Sequence, residues 1–232
     1  MTAPRLLLVR HGRTAYNAGA RLQGQIDIPL DDVGRWQART ASALLVARHT
    51  PTRIVASDLS RALETAQLLG RAAGVAVETD TRLRERGFGI WEGMTGDEIS
   101  ARWPDEFAVW RAGGEPTGVG AETRAEVSAR AGVALDEMTA DLGRDETLVV
   151  VSHGSAITSM VAVLLGLDPG SHAFTGMHNV HWAELVRSAP GREPSWRLVG
   201  YNLGPTDASS DWNAGPDIRH ESDQDAETRD PD

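Results

Sequence analysis

Six residues, Thr147 to Ser152 (TLVVVS), constrain this chain most. The run is almost wholly apolar, rich in β-branched Val, and far too short to cross a membrane. Such a run, bounded by turn residues, is the mark of a strand buried on both faces, which is where parallel sheets place their central strands. Two more runs of this kind precede it, Leu6 to Val9 and Arg53 to Ser57. Each of the three ends in polar residues: Arg10-His11-Gly12, the Ser57 to Arg61 segment, and His153-Gly154. In an open α/β sheet, ligands bind in the crevice beyond the carboxyl ends of the strands. The three polar clusters are therefore expected to meet in one pocket.

The segments between the runs carry helical spacing. Leu30, Val33, Trp36, Ala41, Leu44 and Leu45 predict a helix over 30–47, with Asp31 or Asp32 as its N-cap. Leu59 to Ala73 predicts a second helix, ended by Gly74, and Val75 to Glu78 a third strand. Thr95 to Gly114 reads as two short helices parted by Pro104, Glu122 to Leu142 as a longer one, and Ala156 to Leu165 as one closed by Gly166. Val180 to Arg187 and Trp196 to Tyr201 read as strands around a turn at Pro190-Gly191. This alternation predicts an α/β fold, a three-layer α/β/α sandwich around a mainly parallel central sheet. The strand from Val180 is expected at a sheet edge, where it would allow a homodimer.

Charge divides the chain in two. Residues 204–232 hold nine acidic and two basic side chains, a net of −7, leaving 24 acidic against 21 basic in residues 1–203. The expected organisation is one catalytic domain over 1–203 and an acidic, disordered tail over 204–232. The near balance of the body leaves no basic face for nucleic acid. No apolar stretch of membrane-spanning length and no secretory leader is apparent, so a cytoplasmic location is expected, without a membrane partner. The absence of cysteine removes disulfides and thiolate chemistry. All 23 Lys/Arg residues are Arg, a bias typical of a GC-rich, actinobacterial type of genome.

Two histidines and two arginines meeting in one pocket suit a phosphate. The guanidiniums of Arg10 and Arg61 offer paired N–H groups to phosphate oxygens. A neutral imidazole attacks phosphorus, provided its other nitrogen is held as a donor, whereas a second imidazole is more useful protonated. The leaving alkoxide needs an acid, and a carboxyl group beside bound phosphate keeps its proton near neutral pH. RLRERGFGIWEG offers two, Glu85 and Glu92, of which Glu92 suits the N-terminus of a following helix instead. A metal is the other use for histidine. No HExxH is present, and His178 and His181, entering a strand three residues apart, are expected on opposite faces, so neither metal nor cofactor is implied.

LLLVRHGRTAYN resembles the opening signature of the histidine phosphatase (phosphoglycerate mutase-like) superfamily, which it matches at Arg10, His11, Gly12, Thr14 and Asn17. ASDLSRALETA, RLRERGFGIWEG and VVVSHGSAI resemble its later pocket segments and place Arg61, Glu85 and His153 with Gly154. The resemblance runs from Leu6 to about Tyr201. It implies a metal-free phosphomonoesterase with His11 as nucleophile and Glu85 as proton donor. Arg10, Arg61 and His153 would hold the phosphoryl group, and Asn17, Gln23 and Gly24 would line the pocket edge.

The segment after Glu85, GMTGDEISARWPDEF, lacks the extra basic residues by which the family's mutases grip a bisphosphate, so the resemblance implies a phosphatase. A non-catalytic phosphate-binding module is the alternative from another class. RLQGQIDIPL, VETDTRLRERGFGIWEGMT and NVHWAEL are similar to a subgroup of actinobacterial phosphatases. The substrate of that subgroup is glucosyl-3-phosphoglycerate, in methylglucose lipopolysaccharide biosynthesis. Where it tends to show Gly-Gly-Glu-Ser, this chain has Gly120-Ala121-Glu122-Thr123, expected near the pocket mouth. Gln23, Arg21 or Arg86 would then meet the glycerate carboxylate, and Trp91 or Trp110 the sugar.

Overall fold

The computed structural model describes residues 3–171, 173–205 and 212–213. Six strands form one sheet in the order β3-β2-β4-β1-β5-β6. They are β1 (Arg5–Arg10), β2 (Arg53–Ala56), β3 (Val77–Thr79), β4 (Thr147–Ser152), β5 (Trp182–Arg187) and β6 (Trp196–Leu203). The pairs β1/β4, β2/β4 and β2/β3 are parallel, whereas β5 lies antiparallel to both β1 and β6. The late strand expected at an edge is thus internal, hydrogen-bonded on both sides; β3 and β6 form the edges.

Alternation along the strands builds two cores. Leu6, Leu8, Val55, Leu148 and Val150 face helices α6 (Arg124–Thr139) and α7 (Gly154–Leu164). Leu7, Val9, Ile54, Ala56, Val149 and Val151 face α2 (Asp32–Arg48) and α3 (Ser60–Ala73). These are the three layers that the sequence predicts. Among the described residues there are three further small α-helices, α1 (Ala15–Ala18), α4 (Gly96–Arg102) and α5 (Pro104–Arg111), with Pro104 opening α5 instead of merely separating it. Among the described residues no helix is long and apolar enough to cross a membrane.

Boundaries moved where tertiary contacts overrode local signals. β3 begins at Val77 because Val75 N donates to Gly70 O (3.0 Å), completing the turn that Gly74 ends in the left-handed region (φ 70°). β5 begins at Trp182 because Val180 has φ 54°, which breaks the extended run. That turn also corrects the expectation for His178 and His181: their rings lie 5.4 Å apart, side by side.

Most of residues 204–232, expected as a tail, lie outside the described residues. Trp212 does not: it is 2% exposed, buried with Leu30, Ala38, Ala41 and Val180.

Candidate active site

Strand β1 delivers the first cluster. His11 N still donates to Ser152 O (3.0 Å), so the chain leaves the sheet only after the histidine. Gly12 N donates to Thr65 Oγ1 at 3.0 Å. The N-terminus of α2 then passes close above: a Cβ on Gly12 would lie 2.5 Å from Gly34 O, and one on Gly34 2.0 Å from Arg13 O. Both positions must be glycine for α2 to reach the loop. His11 Nδ1 sits 2.7 Å from Gly12 O, which makes Nδ1 the protonated nitrogen and leaves Nε2 with its lone pair.

Helix α3 supplies Arg61, buried at 1% exposure. Its guanidinium donates to Gly24 O (2.7 Å), Ile26 O (2.8 Å) and His153 Nδ1 (3.2 Å). Because Nδ1 of His153 accepts, its ring proton resides on Nε2. That nitrogen is a buried donor with no hydrogen-bond partner among the described residues, and Arg10 Nε is another. The rings of His11 and His153 lie 5.2 Å apart.

Burial, then Arg61, then Arg10 hold the His11 pKa well below its ordinary value, against the bond to Gly12. His153 is also held well below, by burial first, then Arg61, His11 and Arg10. A protonated second imidazole is what the sequence leads one to expect. Desolvation beside two guanidiniums keeps it neutral instead, so His153 presents an N–H dipole, not a charge.

Glu85 approaches from the loop after β3. Its carboxylate accepts from Arg86 N (2.8 Å), Ala156 N (2.9 Å) and Ser155 N (3.2 Å). Two of these amides, the second and third of α7, belong to its free first turn, so Glu85 caps that helix from another part of the chain. This tertiary cap explains why α7 starts at Gly154, ahead of the expected Ala156. Glu92 does not serve the following helix, whose N-cap is Thr95. It accepts from Gln25 N (3.1 Å) and Phe88 N (2.9 Å), tying the Gln23-Gly24 loop to the Glu85 loop.

These groups bound a pocket of about 600 Å³ lined by Arg10, His11, Asn17, Gln23, Gly24, Arg61, Glu85 and Gly154. Of the residues expected to act on or hold the phosphate, only His153 is absent from this wall; it is wholly buried, its ring beside that of His11. Asn17 caps α1 together with Thr14. Gln23 Oε1 accepts from Thr14 Oγ1 at 2.9 Å.

The outer wall needs three corrections. Arg86 is buried, bound to Glu115 and to Glu122 O, and does not face the pocket. Trp91 is wholly buried among Phe88, Ile99 and Val119, so of the two tryptophans Trp110 is the one in the wall. None of residues 120–123 lines the pocket either; Glu122 holds Arg130 and Gly87 N, and Thr123 caps α6 as a Ser would. The wall does contain Arg124, which sequence reasoning passed over. Nothing local marks it, since the pocket reaches it only through the fold.

The family model described as histidine phosphatase superfamily (branch 1) matches residues 6–202. The chain belongs to that superfamily. Its relatives include the glucosyl-3-phosphoglycerate phosphatase of Mycolicibacterium vanbaalenii, 39% identical over 87% of this chain and 96% of that protein. The enzyme of the same name from Mycobacterium tuberculosis is 40% identical over the same shares. A probable phosphoglycerate mutase GpmB of Yersinia enterocolitica is 37% identical over 82% of this chain and 89% of that one. Among solved structures, a mycobacterial glucosyl-3-phosphoglycerate phosphatase complexed with VO3 superposes with a TM-score of 0.78. It is 38% identical and covers 86% of this chain and 99% of its own. The superfamily fold is therefore shared along nearly the whole of the described chain.

Proposed function

We propose that this chain hydrolyses the phosphate monoester of glucosyl-3-phosphoglycerate through a phosphoryl group carried on His11. The observation that carries the reading is the pairing in one pocket of a neutral, Nδ1-anchored His11 with Arg10, Arg61 and Glu85.

The lone pair on His11 Nε2 attacks phosphorus as the P–O bond to the alcohol breaks. Arg10, the remaining N–H groups of Arg61 and the unpartnered Nε2–H of His153 take the charge on the phosphoryl oxygens. Glu85 serves as the acid that gives a proton to the departing alkoxide, then takes one from the water that attacks phosphohistidine. Asn17, Gln23, Gly24 and Gly154 complete the wall around the phosphate. No step calls for a metal or organic cofactor.

The named relatives support the sugar acid as substrate. So does the outer wall, where Arg124 and Arg21, paired with Glu115 and Glu98, bring cations near a carboxylate and Trp110 offers a surface for a sugar ring. Residues 1–203, together with Trp212 seated in their core, would form the catalytic domain, acting in the cytoplasm.

The test is kcat/KM measured side by side on glucosyl-3-phosphoglycerate, mannosyl-3-phosphoglycerate, 3-phosphoglycerate and p-nitrophenyl phosphate, with His11→Ala as the inactive control. A preference above about tenfold for the glucosylated acid, about 1.4 kcal/mol, supports the substrate. A smaller one leaves a broad-specificity phosphatase.

A further inference from the structure

Trp212 is far from His11 in sequence, yet two chains of hydrogen bonds join it to the segment around His11. On one side, Trp212 Nε1 donates to Asn179 O (3.2 Å). Asn179 Nδ2 in turn donates to His11 O (3.0 Å) and to Asn17 Oδ1 (3.4 Å). The next residue, Val180, donates its N–H to Arg10 O at 3.0 Å and packs in the same cluster as the Trp212 ring. On the other side, Trp212 O accepts from Gln37 Nε2 (2.9 Å), whose Oε1 accepts from Arg13 N (2.9 Å). Arg13 also donates to Asn213 O. The segment 10–13 is therefore gripped before and after His11 by groups that themselves rest on Trp212.

The socket is built for an indole. Trp36 meets the ring at 5.0 Å and His181 at 6.0 Å, edge-on. The neighbouring turn holds a β-branched residue, Val180, at φ 54°, a conformation that persists only when its surroundings over-determine it. Packing of Trp212 against Val180 is one of those constraints.

The geometry points to Trp212 as a positioning residue for the phosphoryl-transfer step: seated in its socket, it fixes the Asn179-Val180 turn and so the place of His11. The inference rests on the reading of His11 as nucleophile. A nucleophile displaced by even 1 Å loses rate steeply, because in-line attack tolerates little misalignment. Trp212 does not line the pocket.

The test uses the full chain, Trp212→Ala and Trp212→Phe, with two readouts: kcat on p-nitrophenyl phosphate, and titration with orthovanadate, a mimic of the transferring phosphoryl group. Trp212→Ala is expected to bind one vanadate per chain as the parent does, but about tenfold more weakly, with kcat down about tenfold. Trp212→Phe, which keeps a ring and loses the N–H, is expected to fall between. Fewer binding sites at unchanged affinity would reveal a purely structural role and overturn the inference, as would a parent-like Trp212→Ala. Should Trp212→Ala fail to fold, a Trp212→Phe chain that matches the parent in both readouts would overturn it. A parent that turns over no phosphate ester defeats the phosphatase reading itself, a separate outcome.

Discussion

Arg61 Nε donates to His153 Nδ1 at 3.2 Å, and that bond decides how the second histidine works. A guanidinium has no acceptor to offer, so the facing nitrogen must carry a lone pair. His153 then shows its only N–H on Nε2, toward a region where two arginines already concentrate positive charge. A proton added to His153 would break the bond to Arg61 and place a third cation beside two others. Neutral imidazoles between fixed guanidiniums reconcile a buried site with an anionic ligand: the site stays soluble in its own core, and the charge of the phosphate is met when it arrives.

This arrangement fixes the sign of a pH effect on stability. In the folded protein, His11 and His153 titrate well below the ordinary 6.5. As pH falls below that value, the unfolded chain takes up these two protons and the folded chain does not. The unfolded state then binds more protons, so stability falls, by about 1.4 kcal/mol per pH unit for each such histidine. Above 6.5 both states are neutral and the pair contributes no slope. Thermal unfolding followed from about pH 7.5 to 5 should show this loss, and His153→Gln should flatten it by the share of one proton. An unchanged slope in His153→Gln would mean that His153 is not held neutral by the fold.

Glu85 is expected to separate substrates by leaving group. The carboxylate accepts three backbone N–H groups, two of them on α7. Glu85→Gln keeps one acceptor oxygen and turns an amide N–H₂ toward donors, at a stability cost of about 1–3 kcal/mol. On alkyl phosphates it should slow kcat roughly 10²-fold or more, because a poor leaving group needs the proton. On p-nitrophenyl phosphate the loss should stay within about tenfold, since that alcohol departs unaided. Comparable losses on both would take Glu85 out of the acid role.

How much of this was legible in the sequence depended on whether a residue's partner was local. TLVVVS, LLLV and RIVAS announce buried strands, and the polar residues after them fall at or beyond the strand ends, Arg61 at the start of α3, so Arg10, His11, Arg61 and His153 are placed without any contact information. Glu85 was legible as a carboxylate in a loop of small residues, but its anchoring on the α7 amides was not, because nothing near Gly154 records a cap that comes from elsewhere. The expectation of an edge for the strand from Val180 failed for a related reason. Pairing order is a property of the whole sheet, and β5 enters beside β1 antiparallel, which no local pattern states. Arg86 and Trp91 were misplaced because long side chains near a pocket in sequence are free to turn away; both turn into the Phe88 cluster, where Arg86 lies over the Phe88 ring at 5.4 Å. The largest omission was Trp212. One aromatic in an acidic, polar stretch has no periodicity to betray it, and only its socket shows that it belongs to the core.

The pocket's aromatic wall makes the last prediction. Trp110 faces the pocket from α5, held edge-on by Phe88 at 6.5 Å and by Trp91 at 6.2 Å. These contacts steady the indole while leaving part of it open to the pocket. A hexose presents a face of C–H groups that stacks on such a ring, and the phosphate end of the substrate does not depend on it. Trp110→Ala should therefore lower kcat/KM for glucosyl-3-phosphoglycerate roughly tenfold more than for 3-phosphoglycerate, which has the same phosphate and carboxylate but no sugar. General loosening of the Phe88 cluster would reduce both alike, so the ratio isolates the stacking contribution. Trp110→Phe, with a smaller ring in the same place, should recover most of the ratio. If the two substrates lose equally in Trp110→Ala, the indole serves the fold alone, and sugar recognition must come from another part of the wall.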